Sequence, residues 1–286
     1  MTSSNTLIDA QALAALPRGA CLIVDCRHDL TDVDAGRRAW AQAHLPGAVH
    51  AHVDRDLSDL GKTGLGRHPL PDAGAFAATL AGWGWRPGLP VVAYDAMGGA
   101  LAAARLWWML RVLDQPAMVL DGGFQAWVAA GFPLESQAVA PTPAPVAALR
   151  WPADRVLDVE QMLAQRARAG ALLLDARATP RYRGDVEPLD SKAGHIPGAR
   201  NRPFAYNLDD DGRFKPADDL REEWLDLLEG RDPASVVHMC GSGVTACHNL
   251  LAMEHAGLAG SRLFAPSWSG WISDPGRPVA TGSETG

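Results

Sequence analysis

Leu172-Leu173-Leu174-Asp175-Ala176-Arg177 is a short apolar run closed by an acid and a base, and the chain carries this pattern twice. The earlier copy is Leu22-Ile23-Val24-Asp25-Cys26-Arg27, at an offset of 150 residues. Outward from these runs, Ala43-His44-Leu45-Pro46-Gly47-Ala48 returns as Gly194-His195-Ile196-Pro197-Gly198-Ala199. Val91-Val92-Ala93-Tyr94-Asp95 returns as Val236-Val237-His238-Met239-Cys240, and Phe124-Gln125-Ala126-Trp127 is echoed by Trp268-Ser269-Gly270-Trp271. Matches in one order at a nearly constant offset mean two copies of one domain, because solenoid repeats are far shorter.

Between the copies, 138–152 carries four prolines and a single charge. Proline at that density blocks helix and favours extended chain. The sequence therefore predicts domains over 1–137 and 153–286, joined by a linker over 138–152. Within each copy, the runs at 22–25, 90–95, 117–121, 171–177 and 235–239 are continuously apolar, as strands buried on both faces of a parallel sheet must be. Helical patterns at 100–113, 157–169, 220–228 and 245–256 lie between them. Strand–helix alternation builds βαβ units, so the expected fold class is α/β, with two domains each holding a parallel sheet flanked by helices.

The chain has 286 residues, 47% hydrophobic and 21% charged, which excludes disordered, collagenous and coiled-coil classes. A net charge of −7 leaves no general basic footprint for nucleic acid or an anionic membrane. The segment 1–10 has neither a basic nor an apolar stretch of the signal-peptide kind, and the most apolar run, 100–110, is broken by Arg105 and too short to span a bilayer. Cys21, Cys26, Cys240 and Cys247 form no CxxC pair, which suits free thiols in a reducing compartment. The expected location is the cytoplasm.

Cys240 closes the strand run 235–239 and precedes Gly241-Ser242-Gly243-Val244-Thr245, after which Ala246 opens a helical pattern. Loops at the carboxyl ends of strands in open α/β sheets bind ligands. Two glycines let successive N–H groups turn toward one atom, and the following helix adds its positive end. Such a cradle stabilises a thiolate, and the Ser242 and Thr245 hydroxyls add donors. A phosphatase loop of the C-x5-R type requires arginine six residues after the cysteine, where this chain has Ala246. Cys247 falls inside the helix, either as a core thiol or as a partner for Cys240 in a regulatory disulfide.

The tandem repeat, the His-Leu/Ile-Pro-Gly-Ala motif in both halves and the run Cys240-Gly241-Ser242-Gly243-Val244-Thr245-Ala246 resemble the rhodanese-type sulfurtransferases, over about 7–279. That resemblance implies five-stranded parallel sheets and a catalytic cysteine, Cys240, in the second copy only. The first copy has Asp95 at the matching place, so its implied role is to wall a cleft. The implied chemistry is transfer of sulfur through a Cys240 persulfide to cyanide, a thiol or thioredoxin, with no metal or organic cofactor. The loop wording resembles the 3-mercaptopyruvate branch more than the thiosulfate branch. A protein-to-protein sulfur relay with little small-molecule turnover is the other class of function.

In the mercaptopyruvate branch two arginines bind the donor between the Asp-Ala-Arg strand and Gly-His-Ile-Pro-Gly. Arg181 matches the first. The second position holds Leu189, leaving Arg183, Lys192, Arg200 or Arg202 to compensate. The resemblance also suggests Asp34 (with Asp32 aligning equally well) and His44 as a relay to Ser242, His44 alternatively being a fold marker like His195. His68 lies in a loop that approaches the cleft in relatives. Trp268 is expected either to line the pocket or to pack the core.

Overall fold

The computed structural model describes residues 6–136, 140–146, 148–166, 168 and 170–283. Its described residues group into two compact units, Met1–Asp59 with Leu70–Pro152 and Asp209–Phe214, and Leu60–Pro69 with Ala153–Leu208 and Lys215–Gly286. The linker expectation assigned 60–69 to the first half and 209–214 to the second; the contacts group both segments the other way. Hydrogen bonds explain the regrouping. Arg67 N–H donates to Ser269 Oγ at 3.0 Å and the Ser273 hydroxyl to Gly64 O at 3.2 Å. Phe214 N–H donates to Asp121 Oδ1 at 2.9 Å. Within the predicted linker, Ala138, Val139 and Ala147 lie outside the described residues. Its Ala144 N–H donates to Ala81 O at 3.0 Å, and the Trp151 ring stacks on Phe76 at 5.6 Å, which ties this segment to the first unit.

The first unit contains β1 (Leu7–Ile8), β2 (Leu22–Asp25), β3 (Val49–His50), β4 (Val91–Tyr94) and β5 (Ala117–Leu120). They form one parallel sheet in the order β1-β5-β4-β2-β3. The second unit contains β6 (Val156–Leu157), β7 (Leu172–Asp175), β8 (Ala199–Asn201), β9 (Val236–Met239) and β10 (Arg262–Phe264), in the parallel order β6-β10-β9-β7-β8. The two orders are the same, and the architecture is α/β with two five-stranded parallel sheets flanked by helices. All four residues of β4, β7 and β9 are buried, as strands covered on both faces require.

Helices form over Ala103–Arg111, Val159–Arg166, Ala217–Leu228 and Ala246–His255, close to the predicted spans. Of the predicted 157–169 helix, Ala167 and Ala169 lie outside the described residues. Arg105, buried in the first of these helices, donates to Leu57 O at 3.0 and 3.1 Å. No helix among the described residues is long and apolar enough to cross a membrane.

The two repeated motifs are physically one device. At the end of β7, Arg177 grips Asp175 with Nε and Nη2, at 3.1 and 2.7 Å, and Nη2 also donates to Gly194 O at 2.7 Å. Arg27 does the same with Asp25 and Ala43 O, at 3.0, 2.6 and 2.6 Å. Each arginine thus links its strand end to the carbonyl just before the motif histidine. Such pairing offsets the cost of burying both charges.

Candidate active site

Cys240 begins the loop that leaves β9, a strand flanked on both sides by β10 and β7. Gly243 turns that loop at φ +80°, and a Cβ there would fall 2.4 Å from Ala265 O. Only glycine meets both demands. The turn brings Gly243 N–H to 3.2 Å from Cys240 Sγ. The rest of the loop is strapped by the next strand's exit: Cys240 N–H donates to Ser267 Oγ at 3.1 Å, Trp268 N–H to Cys240 O at 3.0 Å and Ser269 N–H to Gly241 O at 2.9 Å. Ser267 adopts φ +53° and its hydroxyl donates to Phe264 O at 3.0 Å, so a non-glycine residue is held in the left-handed region to present its oxygen to the cysteine.

The Cys240 residue is only 1% exposed, so a charge on its sulfur depends on protein donors rather than water. The helix Ala246–His255 points its N-terminal end at the loop from Thr245, whose side chain makes no capping bond. Cationic groups stand close by. A Cβ built on Gly241 would lie 2.9 Å from Arg67 Nη2 and 3.5 Å from Arg181 Nη1. Burial pulls the Arg67 guanidinium below its ordinary value, and negative charge on Cys240 opposes that pull. His68 Nδ1 lies 2.7 Å from Ser242 Oγ.

A family model for the rhodanese-like domain matches residues 9–130 and again 158–274. The chain belongs to the rhodanese-like domain family. A Pseudomonas aeruginosa protein named "Probable 3-mercaptopyruvate sulfurtransferase" is 47% identical over 284 residues, covering 98% of this chain and 99% of its own. A thiosulfate sulfurtransferase of Cricetulus griseus is 34% identical, over 82% of this chain and 80% of its own. Among solved structures, 3-mercaptopyruvate sulfurtransferase from Leishmania major superposes with a TM-score of 0.82 at 35% identity, covering 95% of this chain and 76% of that one.

In the first rhodanese-like domain, Asp95 follows β4 as Cys240 follows β9. Its carboxylate accepts N–H bonds from Met97, Gly99, Leu101, Ala102 and Ala103, at 2.8–3.2 Å. A ring of N–H donors of the kind expected around Cys240 is thus built here around a fixed carboxylate, whereas the N–H recorded on Cys240 Sγ among the described residues is that of Gly243. Burial pushes the Asp95 carboxyl up, against the downward pull of those N–H donors.

The relay expected at Asp34 and His44 is corrected by the contacts. Asp34 is exposed and 3.9 Å from Arg55, while Asp32 pairs with Arg38 at the surface. His44 belongs to the first domain: Nδ1 lies 2.7 Å from Trp40 O, the ring stacks on Trp40, and the backbone bridges to Glu135. His195 repeats this with Tyr182 and Ala280. Both rings are held by backbone of their own domain, and the ring that meets Ser242 is His68. Trp268 is fully buried in the second core with the Arg177 guanidinium 4.8 Å over its ring, so it packs the core while its backbone holds the loop. Cys247 is buried, its thiol donating to Gly243 O at 3.4 Å.

Of the positions expected to compensate for Leu189, the three arginines pair with other carboxylates, while Lys192 is exposed. Arg183 pairs with Asp185, Arg200 with Glu229 and Arg202 with Glu223, and Lys192 O accepts the Trp268 indole N–H. The residues missed by the sequence reading are Arg67, Asp190, Glu187 and Ser267. Glu187 binds Arg177 and Arg181, and Asp190 binds Arg181 and Arg67. The adjacency Gly66-Arg67-His68 was the one available signal. A cleft of about 500 Å³ is lined by Arg155, Arg168 and Arg262 among others and includes no residue of the Cys240 loop.

Proposed function

We propose that this chain is a sulfurtransferase that takes sulfur from 3-mercaptopyruvate onto Cys240 and passes it to a thiophilic acceptor. The observation that carries this reading is the Gly243 N–H aimed at Cys240 Sγ, 3.2 Å away, in a loop whose Gly241 lies beside the Arg181 guanidinium. In the first half-reaction the Cys240 thiolate attacks the donor thiol sulfur. The new S–S bond forms as the donor C–S bond breaks, and the electron pair leaves on the pyruvate enolate. The thiol proton then moves to that carbon, giving pyruvate and an anionic persulfide. Ser242 with His68 supplies a path for this proton. In the second half-reaction cyanide or a thiol attacks the terminal sulfur and the Cys240 thiolate returns.

Arg181 meets the donor carboxylate with its Nη1 edge, since Nε and Nη2 are held by Glu187 and Asp190. Asp95 performs no step, so the first domain is catalytically silent. Thioredoxin is a thiol acceptor of suitable chemistry, and the free cysteines suit a reducing cytoplasm. Thiosulfate is the second reading for the donor, supported by the relative that carries that name.

Incubation with donor should add one sulfur, about 32 Da, to Cys240 and to no other cysteine, and Cys240→Ser should abolish transfer. Sulfur found on Cys21, Cys26 or Cys247 would overturn the assignment. Arg181→Lys should lower kcat/KM for mercaptopyruvate by about tenfold and for thiosulfate much less, since the lysine keeps charge but loses the guanidinium edge that Glu187 and Asp190 orient. Equal losses would move the donor to thiosulfate. Persulfide loading with slow turnover by every small acceptor would favour a protein sulfur relay.

A further inference from the structure

The second rhodanese-like domain carries a cleft of about 500 Å³ at the amino ends of β6, β7, β9 and β10, the edge of the sheet opposite the one that Cys240 leaves. Three arginines line it: Arg155 just before β6, Arg262 at the start of β10 and Arg168 in the turn before β7. Leu263 pairs with Val156, so Arg262 and Arg155 stand side by side one position earlier, and like charges on neighbouring strands repel. None of the three forms an ion pair among the described residues, although the chain as a whole has a net charge of −7.

Protein acceptors answer this charge only weakly. Arg155 Nη2 reaches Ser261 O at 3.5 Å and Arg262 Nη2 reaches Ser235 O at 3.4 Å, both long, and the Nε of each is buried with no hydrogen-bond partner among the described residues. Burial and the positive charge of Arg168 pull the Arg262 guanidinium below its ordinary value. The duplication supplies an internal control. Strand register places Thr6 where the second copy has Arg155, and Met118 where it has Arg262. Arg168 does match Arg18 at the offset of 150, but Arg18 pairs with Glu135, and the bridge to the motif histidine puts Ala280 at that acid's place in the second copy. The first copy builds the same sheet without this cluster, so the fold does not require it.

We infer that this cleft binds a phosphate monoester that also carries hydroxyl groups, its phosphate held by Arg155, Arg168 and Arg262 and its hydroxyls by Asp154 and Asp232. A monoester phosphate offers three terminal oxygens and about two negative charges to three guanidiniums, where a carboxylate offers two oxygens and one charge. Asp154 and Asp232 line the same cleft and are exposed, so they repel a bare polyanion and accept from hydroxyl donors. Asp232 Oδ1 takes the Ala234 N–H at 2.9 Å, which leaves Oδ2 for the ligand. The volume is in the range of small-molecule sites. The site shares no residue with the Cys240 loop and does not rest on the sulfurtransferase reading.

Isothermal titration of the full chain with ribose 5-phosphate tests this, with ribose and inorganic phosphate as the separate halves of the probe. The wild type should bind one equivalent of ribose 5-phosphate saturably, inorganic phosphate about tenfold more weakly, and ribose not at all. Arg155→Thr and Arg262→Met supply the residues that the first copy uses, so both should fold, and each should weaken ribose 5-phosphate binding by about tenfold or more. Asp232→Asn, at an exposed position, should weaken the ester and spare inorganic phosphate, and it keeps the test available if an arginine variant fails to fold. No saturable binding by the wild type, or wild-type affinity in both arginine variants, would overturn the site. Binding lost in Arg181→Lys and kept in Arg155→Thr would place the anion at the Cys240 loop and overturn it as well. Inorganic phosphate bound as tightly as the ester, or wild-type affinity for the ester in Asp232→Asn, would overturn the ligand class. Sulfur loading of Cys240 should be the same in both arginine variants as in the wild type, so this site and the sulfur-transfer reading stand or fall separately.

Discussion

His68 Nδ1 and Ser242 Oγ lie 2.7 Å apart although 174 residues separate them in the chain. Ser242 is thereby given a ring nitrogen capable of exchanging a proton, two residues from the sulfur-bearing Cys240. The contact divides the two donors chemically. Mercaptopyruvate must have a proton delivered to carbon as its C–S bond breaks, whereas thiosulfate leaves as sulfite and needs none.

His68→Asn should therefore lower kcat for mercaptopyruvate by about a hundredfold, the scale of one general acid–base group, and leave thiosulfate turnover within a few fold. Parallel steady-state assays with cyanide as acceptor check this. Equal losses with both donors would make His68 a structural support for the loop and remove it from proton transfer.

Gly241 and Gly243 should respond differently to alanine. At Gly243 the left-handed backbone and a Cβ only 2.4 Å from Ala265 O leave no accommodation, so the turn that aims N–H at Cys240 is lost. Gly243→Ala should reduce transfer by about a hundredfold or more, as loss of an aligned donor to a developing anion does. Gly241→Ala meets the far ends of two arginine side chains, so it should raise donor KM and leave the thermal midpoint nearly unchanged.

Asp95→Ala removes a buried carboxylate that accepts bonds from Met97, Gly99, Leu101, Ala102 and Ala103. Stability should fall by about 3 kcal/mol or more, because orphaned buried donors lose their partner without regaining water. Sulfur transfer by the folded fraction should stay within a few fold. Calorimetry and activity measured on the same sample separate the two effects, and a loss of turnover by orders of magnitude would end the view of the first domain as silent.

His238 predicts an acid-side weakness. Buried in β9 against Trp224, with Nε2 3.2 Å from Met253 Sδ, it is pushed down to about 3 by desolvation. The unfolded chain takes up a proton near the ordinary value of about 6.5 while the folded chain does not. Stability therefore falls as pH drops below that value, by about 1.4 kcal/mol per unit, and the decline ends only near the folded value. His238→Gln should flatten this slope in urea titrations at pH 6.5 and 5. A slope identical to the wild type would show that other groups govern acid unfolding.

What the sequence determined by itself was local in origin. The interior runs that became β2, β4, β5, β7 and β9 declare themselves because a strand buried on both faces must be apolar at every position, and the duplication reads directly from order and offset. The cysteine loop was legible too, since Gly243 is required by its own backbone and by the carbonyl beside it. Tertiary structure decided the rest. Strands of two or three residues, β1, β3, β6, β8 and β10, carry too little pattern to show and exist through pairing with longer neighbours. His44 and His68 both stood as candidates, and only packing tells which ring meets Ser242. Arg67 lies 123 residues before Asp190, a partnership no local pattern encodes, because it forms only when Leu60–Pro69 packs into the second unit. Hydrophobic periodicity and glycine geometry act over a few residues and are written in the chain; the charges that surround the sulfur are gathered across it, and their places are set by the folded backbone.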